Sequence, residues 1–196
     1  MKVILLTGHG LRKDEGREQI DPGAFNPIHG VYERDMVRRI TGHIVSLLHD
    51  MLGIKIIPVG YQHLLTLEDK VKEINNILSQ DPDVEFAIEI HLNAATYEGI
   101  KGAETLYQRE NNKSKELAVI FQENILKFLD TRNRGVKPRD DLYLLNNSPI
   151  PTVITEADFI SNNKVAKGLK EGFLVQTIAF AHAKAIWQIQ EEGGEN

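Results

Sequence analysis

Val84-Glu85-Phe86-Ala87-Ile88-Glu89-Ile90-His91 is the run on which the fold turns. It is rich in β-forming residues and sits between turn signals. Its mainly apolar character marks a strand covered by other elements rather than one facing water. It ends in a histidine, after which Leu92-Asn93-Ala94-Ala95 leads the chain away. Working outward, similar short runs predict strands over 2–7, 54–59, 84–91, 103–107, 141–145 and 151–155. Between them lie longer patterns that predict helices over 35–52, 66–80, 112–130 and 163–190. In the first of these, Met36, Ile40, Ile44, Leu47, Leu48 and Met51 recur every three or four residues and form one apolar stripe. Leu169, Phe173, Ile178, Phe180, Ile186 and Ile189 repeat the pattern in the last. Strand–helix alternation predicts a single α/β domain with a mostly parallel sheet and helices on both faces. The link Asn146 to Ile150 is too short for a helical crossover, so 141–145 and 151–155 are expected to pair antiparallel. The domain is expected to span 1–190, with a flexible polar tail over 191–196.

At 196 residues and 41% hydrophobic content, the chain is long enough for one domain with a buried core. A net charge of −5 argues against nucleic acid as a partner, because such proteins usually carry a basic stripe. There is no cysteine, which excludes disulfides, thiolate metal sites and a cysteine nucleophile. No run of about 18 apolar residues exists, so no membrane span is expected. The start, Met1-Lys2-Val3-Ile4-Leu5-Leu6, is too short for a secretory h-region and reads as the first strand. On that reading the chain is made in the cytoplasm without a signal peptide.

In parallel sheets, ligands bind outside the carboxyl ends of the strands. His9 follows the first strand, between Gly8 and Gly10; His91 ends the third; Glu156 follows the sixth; Glu33 lies just ahead of the first helix. Each has a plain reading alone: a strand-end or loop histidine, a carboxylate favouring a helix dipole, a solvated glutamate. Their convergence on one rim is what points to a site. Two imidazoles and a carboxylate, with one position left open, are the ligand set of a catalytic zinc ion. His9, Glu33 and His91 are the candidate ligands and Glu156 the candidate base. Asp158, two residues on, is its rival if the strand continues.

These residues resemble the zinc-dependent N-acetylmuramoyl-L-alanine amidases of bacterial cell walls and phage endolysins. The matching motifs run from Gly8-His9-Gly10 through Asp21-Pro22-Gly23-Ala24, Gly30, Glu33 and Ile90-His91-Leu92-Asn93-Ala94. They continue with Gly102-Ala103-Glu104-Thr105, Arg134-Gly135-Val136-Lys137, Leu142-Tyr143-Leu144-Leu145 and Glu156-Ala157-Asp158-Phe159-Ile160-Ser161-Asn162. The resemblance covers about residues 1–187. It implies a twisted six-stranded sheet, zinc on His9, Glu33 and His91, and Glu156 as the catalytic carboxylate. The implied reaction is hydrolysis of the amide between N-acetylmuramic acid and L-alanine of the peptidoglycan stem peptide. With no signal peptide, holin-type release at lysis is the expected route to the wall.

The chain departs from the family pattern in three places. A charge-rich stretch, Leu11 to Ile20, is inserted before Asp21 and could shape the cleft mouth; it also leaves His29 as a rival ligand to His9. Lys70 stands where arginine is common in the family, and no role is assigned to it. No wall-binding repeats are expected to follow the domain. His43, His49, His63 and His182 read as structural, and Lys137 and Arg139 as solvated cations that could meet stem-peptide carboxylates. The alternatives are a zinc carboxypeptidase or a non-catalytic peptidoglycan-binding domain. The first is disfavoured because no histidine has a glutamate three residues on, and H-E-x-x-H is also absent. The second would be expected to have lost a ligand or the base.

Overall fold

The computed structural model describes residues 1–194. Six strands form the central sheet: β1 (Lys2–Thr7), β6 (Lys55–Val59), β7 (Phe86–Asn93), β8 (Ala103–Gln108), β9 (Asn133–Arg139) and β10 (Thr152–Phe159). Their order is β6-β1-β7-β10-β8-β9. The first four run parallel, β8 runs antiparallel to β10, and β9 runs parallel to β8. The fold is the α/β architecture expected.

Side chains on a strand alternate between faces, and the two faces have separate cores. Val3, Leu5, Phe86, Ile88 and Ile90 pack on one side with α1 (Glu33–Leu48), α3 (Asn112–Phe128) and α6 (Phe173–Gly194). Ile4, Leu6 and Ala87 pack on the other with α2 (Leu67–Gln80) and α4 (Tyr143–Asn147). Burying each large apolar side chain stabilises the fold by about 1.5–3 kcal/mol. The same alternation puts Glu89 and His91 on the α2 face, in phase with Ala87. Glu156 joins them there, in phase with Ile154 and paired in register with His91. Periodicity therefore delivers Glu89, His91 and Glu156 to one side of the sheet.

Three expectations need correction. Residues 143–147 form helix α4, not a strand, because Leu144 and Leu145 are buried together against the α2 side. The antiparallel partner of β10 is therefore β8. The strand at that edge of the sheet is instead β9, whose Asn-Arg-Gly-Val-Lys-Pro-Arg sequence carries no apolar pattern because it pairs only with β8. The helix expected over 163–190 is two, α5 (Asn163–Glu171) and α6, divided at Gly172. Gly172 has φ 92° and donates to the carbonyls of Gly168 and Leu169, a left-handed helix stop that favours glycine. Finally, the inserted stretch is a hairpin, β2 (Gly10–Asp14) and β3 (Arg17–Asp21), turning through Glu15 and Gly16 with φ 48° and 78°.

A short pair, β4 (Phe25–Asn26) and β5 (Val31–Tyr32), leads into α1. Helix α6 continues through Gly194; residues 195–196 of the expected tail lie outside the described residues. No helix among the described residues is long and apolar enough to cross a membrane.

Candidate active site

The loop after β1 brings His9 into place with φ 62°, a conformation costly for a side chain unless its surroundings enforce it. Here they do. Gly8 donates to the Ile90 carbonyl at 3.1 Å, and Leu11 donates to the Leu65 carbonyl at 3.0 Å, pinning the loop on both sides. The His9 Nδ1 lies 2.9 Å from Asp21 Oδ2, so the base of the hairpin holds the ring and its Nε2 faces inward. Asp21 appears in the sequence as part of a motif, but the ring it orients becomes visible only when the hairpin closes.

Glu33 opens α1 and is almost wholly buried. Its Oε1 accepts from the Leu92 backbone at 2.9 Å and its Oε2 from the Ala24 backbone at 3.0 Å. The same Oε1 lies 2.8 Å from His9 Nε2 and 3.1 Å from His91 Nδ1. Burial alone would raise this carboxyl's pKa, but the two histidine rings turned toward it hold it far below the usual range. Glu33 is thus ionised, with two imidazole nitrogens turned toward it.

These three residues form the group that could hold a metal ion, with one donor atom from each within 4.8 Å of the others. Ligand atoms on a tetrahedral ion with arms of about 2.0–2.1 Å lie roughly 3.3 Å apart, which the 2.8 and 3.1 Å separations approach. The His9 Nε2 is buried and makes no properly angled hydrogen bond, as a nitrogen aimed at an ion would. Gly23 leaves room for the group: a Cβ there would lie 2.6 Å from His9 Nε2 and 2.8 Å from Glu33 Oε2. The donor set fits a divalent metal.

Gly23→Ala is accordingly expected to displace both side chains, and its φ of 65° adds strain. Metal affinity should fall roughly 10–100-fold, the range seen when outer support of a metal site is lost. Chelator competition with the purified variant measures it.

Glu156 stands beside His91 on the neighbouring strand. Its Oε2 is inaccessible to water and has no hydrogen-bond partner. Burial pushes its pKa up to about 7, opposed by His91 and aided by the charges of Glu33 and Glu104. Asp158, its rival, is spoken for: its Oδ1 accepts from the Gly102 and Phe159 backbones at 2.9 and 2.8 Å, past a register shift that follows Glu156. His29 lies in the β4–β5 turn and is outside the candidate metal group.

Glu104 pairs in register with Glu156 and is held by Arg134 at 3.1 Å and by Lys137. Lys137 is therefore occupied, whereas Arg139 lines the cleft and is paired with Asp141 at 2.6 Å. His182 is a core residue: its Nδ1 donates to the Ile178 carbonyl and Thr155 meets its Nε2, while burial lowers its pKa to about 4. His43, His49 and His63 are exposed. The site opens into a cleft of about 390 Å³ floored by His9, His91 and Glu156 and rimmed by Leu11, Leu142 and Tyr143.

Comparison with known proteins places this cleft in context. The chain is 29% identical over 166 residues to the uncharacterized protein YqiI of Bacillus subtilis, covering 84% of this chain and 76% of YqiI. It is 27% identical over 168 residues to the N-acetylmuramoyl-L-alanine amidase LytC of the same organism, covering 85% of this chain but only 32% of LytC. The CwlD amidase of Clostridioides difficile, solved in complex with the GerS lipoprotein, superposes with a TM-score of 0.79 at 32% identity, covering 95% of this chain and 96% of CwlD. The family profile described as N-acetylmuramoyl-L-alanine amidase matches residues 3–188, and the chain belongs to that family of peptidoglycan-hydrolysing enzymes.

Proposed function

We propose that this cleft hydrolyses the amide joining the lactyl group of N-acetylmuramic acid to L-alanine of the stem peptide. Zinc is held by His9, Glu33 and His91, and Glu156 carries the proton. The observation behind this reading is the pairing of a three-donor group with a buried, unpartnered carboxylate on the adjacent strand. A zinc ion bound by two imidazoles and a carboxylate supplies Lewis acidity that activates water and polarises the scissile carbonyl.

The chain's own residues supply the rest. Asp21 fixes the His9 ring, and backbone donors fix Glu33, so the donors are held before substrate arrives. Glu156 has a pKa close to neutrality and an oxygen without a partner, so it can take a proton from the attacking water and pass it to the departing amine. Leu11 and Tyr143 line the same cleft as the metal donors and Glu156. The place of action is the bacterial cell wall.

Digestion of purified wall should release stem peptides with a new amino group on L-alanine and leave the glycan strands uncut. Mass spectrometry of the products names the bond. New reducing sugars as the main product would contradict the proposal, because glycoside hydrolysis calls for two carboxylates flanking the bond. A cut between amino acids would favour a peptidase, and intact wall with zinc bound would favour a binding domain.

A further inference from the structure

Lys70 and Glu89 are both almost wholly buried, their side chains 1% and 2% exposed, and they form an ion pair at 2.6 Å. Lys70 also donates to the Thr7 carbonyl at 2.7 Å, where β1 ends and the His9 loop begins. Glu89 has a second oxygen, and it is not idle: Oε2 lies 3.2 Å from the Nε2 of His91. Glu89 and His91 are two apart on β7, so both project from the same face. The other ring nitrogen, Nδ1, faces Glu33 at 3.1 Å. Gly8 also packs so closely against the ring that a Cβ there would lie 2.8 Å from His91 Nε2.

Burying two charges is costly, and a hydrophobic pair of similar volume would often serve stability as well or better. Stability alone therefore gives no reason for this pair. Its position gives one. A carboxylate beside the outer nitrogen of a metal-binding histidine fixes the ring's orientation and its tautomer.

Building on the zinc reading above, we infer that Lys70 and Glu89 are positioning residues for the metal centre. Glu89 accepts the Nε2 proton of His91, which makes Nδ1 the coordinating nitrogen. Lys70 holds the Glu89 carboxylate in place and ties it to the end of β1. His9 is held the opposite way round, with Asp21 on its Nδ1 and its Nε2 turned inward. The two histidines thus present different nitrogens because their supporting carboxylates lie on different sides. A metal-ligating residue at 91 would gain nothing from Glu89 if Nε2 were the donor, since the carboxylate would then compete for the same atom.

The test is made on the whole chain. In the first arm, histidine-¹⁵N NMR of the zinc-loaded protein should show His91 protonated at Nε2 and shifted by metal at Nδ1, with the reverse pattern at His9. Coordination of His91 through Nε2 overturns the inference. In the second arm, zinc affinity is measured by competition with a chromophoric chelator for the parent, Glu89→Gln, and the double variant Lys70→Met with Glu89→Leu. Removing both charges together avoids stranding one of them in the core. Each variant should bind zinc roughly 10–100-fold more weakly than the parent. The double variant should keep the parent's melting temperature without metal, which separates positioning from folding. Parent-like zinc affinity in the double variant overturns the inference and leaves the zinc reading intact. A parent protein that binds no zinc overturns both.

Discussion

Alanine at His9, Glu33 or His91 should reduce bound zinc to well below one equivalent and abolish wall hydrolysis. Each residue supplies one of three donors, and with one gone the remaining two no longer enclose an ion. The three variants should differ in stability. His9→Ala keeps a Cβ at φ 62°, so the backbone strain is unchanged, and it leaves Asp21 partly exposed to water, so its fold should suffer little. Glu33→Ala strands the Leu92 and Ala24 backbone donors, and each buried unsatisfied group costs about 1–3 kcal/mol. Its melting temperature should therefore drop even with metal removed. Metal analysis by mass spectrometry and thermal melts read the two effects separately. His29→Ala serves as the control, since the β4–β5 turn holds it outside the group. Loss of zinc there, with zinc retained in His9→Ala, would reverse the ligand assignment.

The residues of the site were legible because they sit where strands and a helix end, and those ends are marked by glycine and by breaks in apolar periodicity. What holds them was not. Glu89 was in plain view two residues before His91, and strand alternation alone puts it on the same face. Reading the run as one apolar strand hid it, because a carboxylate inside such a run looks like an interruption. Lys70 lay within a well-formed helical pattern, and its burial depends on meeting Glu89 across the sheet. Asp21 needed the hairpin, whose charged strands carry no apolar pattern because they pack on no core. β9 was hidden because it pairs only with β8 and brings a single apolar residue, Val136, against the core. In the opposite direction, Leu142-Tyr143-Leu144-Leu145 carries strand-like residues but is too short for its period to be read; tertiary packing against α2 makes it helical. Gly172 was legible as a glycine but not as a helix stop, which depends on its left-handed backbone.

Glu156→Gln should bind zinc as the parent does and turn over wall substrate on the order of 10²–10⁴-fold more slowly, the usual worth of a positioned acid–base group. The amide keeps the shape of the side chain and cannot accept the water's proton. Asp158→Asn should be far milder, because an amide oxygen still accepts from the Gly102 and Phe159 backbones. A swap of these two phenotypes would move the base to Asp158. Stability supplies an independent check on the same residue. The Glu156 carboxyl is pushed up from the ordinary glutamate value of 4.5 to about 7 in the folded state, chiefly by burial. A group raised in this way favours folding fully below its unfolded pKa, and that contribution is lost as pH rises through the folded value. With metal removed, the parent should therefore lose stability between about pH 4.5 and 7, by on the order of 3 kcal/mol at most. Glutamine does not ionise, so the variant should escape this loss. Metal-free Glu156→Gln should melt higher than the parent at pH 8 and converge with it near pH 4.5. Zinc should narrow the gap at pH 8, because a nearby cation stabilises the ionised carboxylate that the variant lacks. A residue whose neutralisation slows the enzyme and stabilises the metal-free fold at high pH is a buried base held for the reaction rather than for the structure.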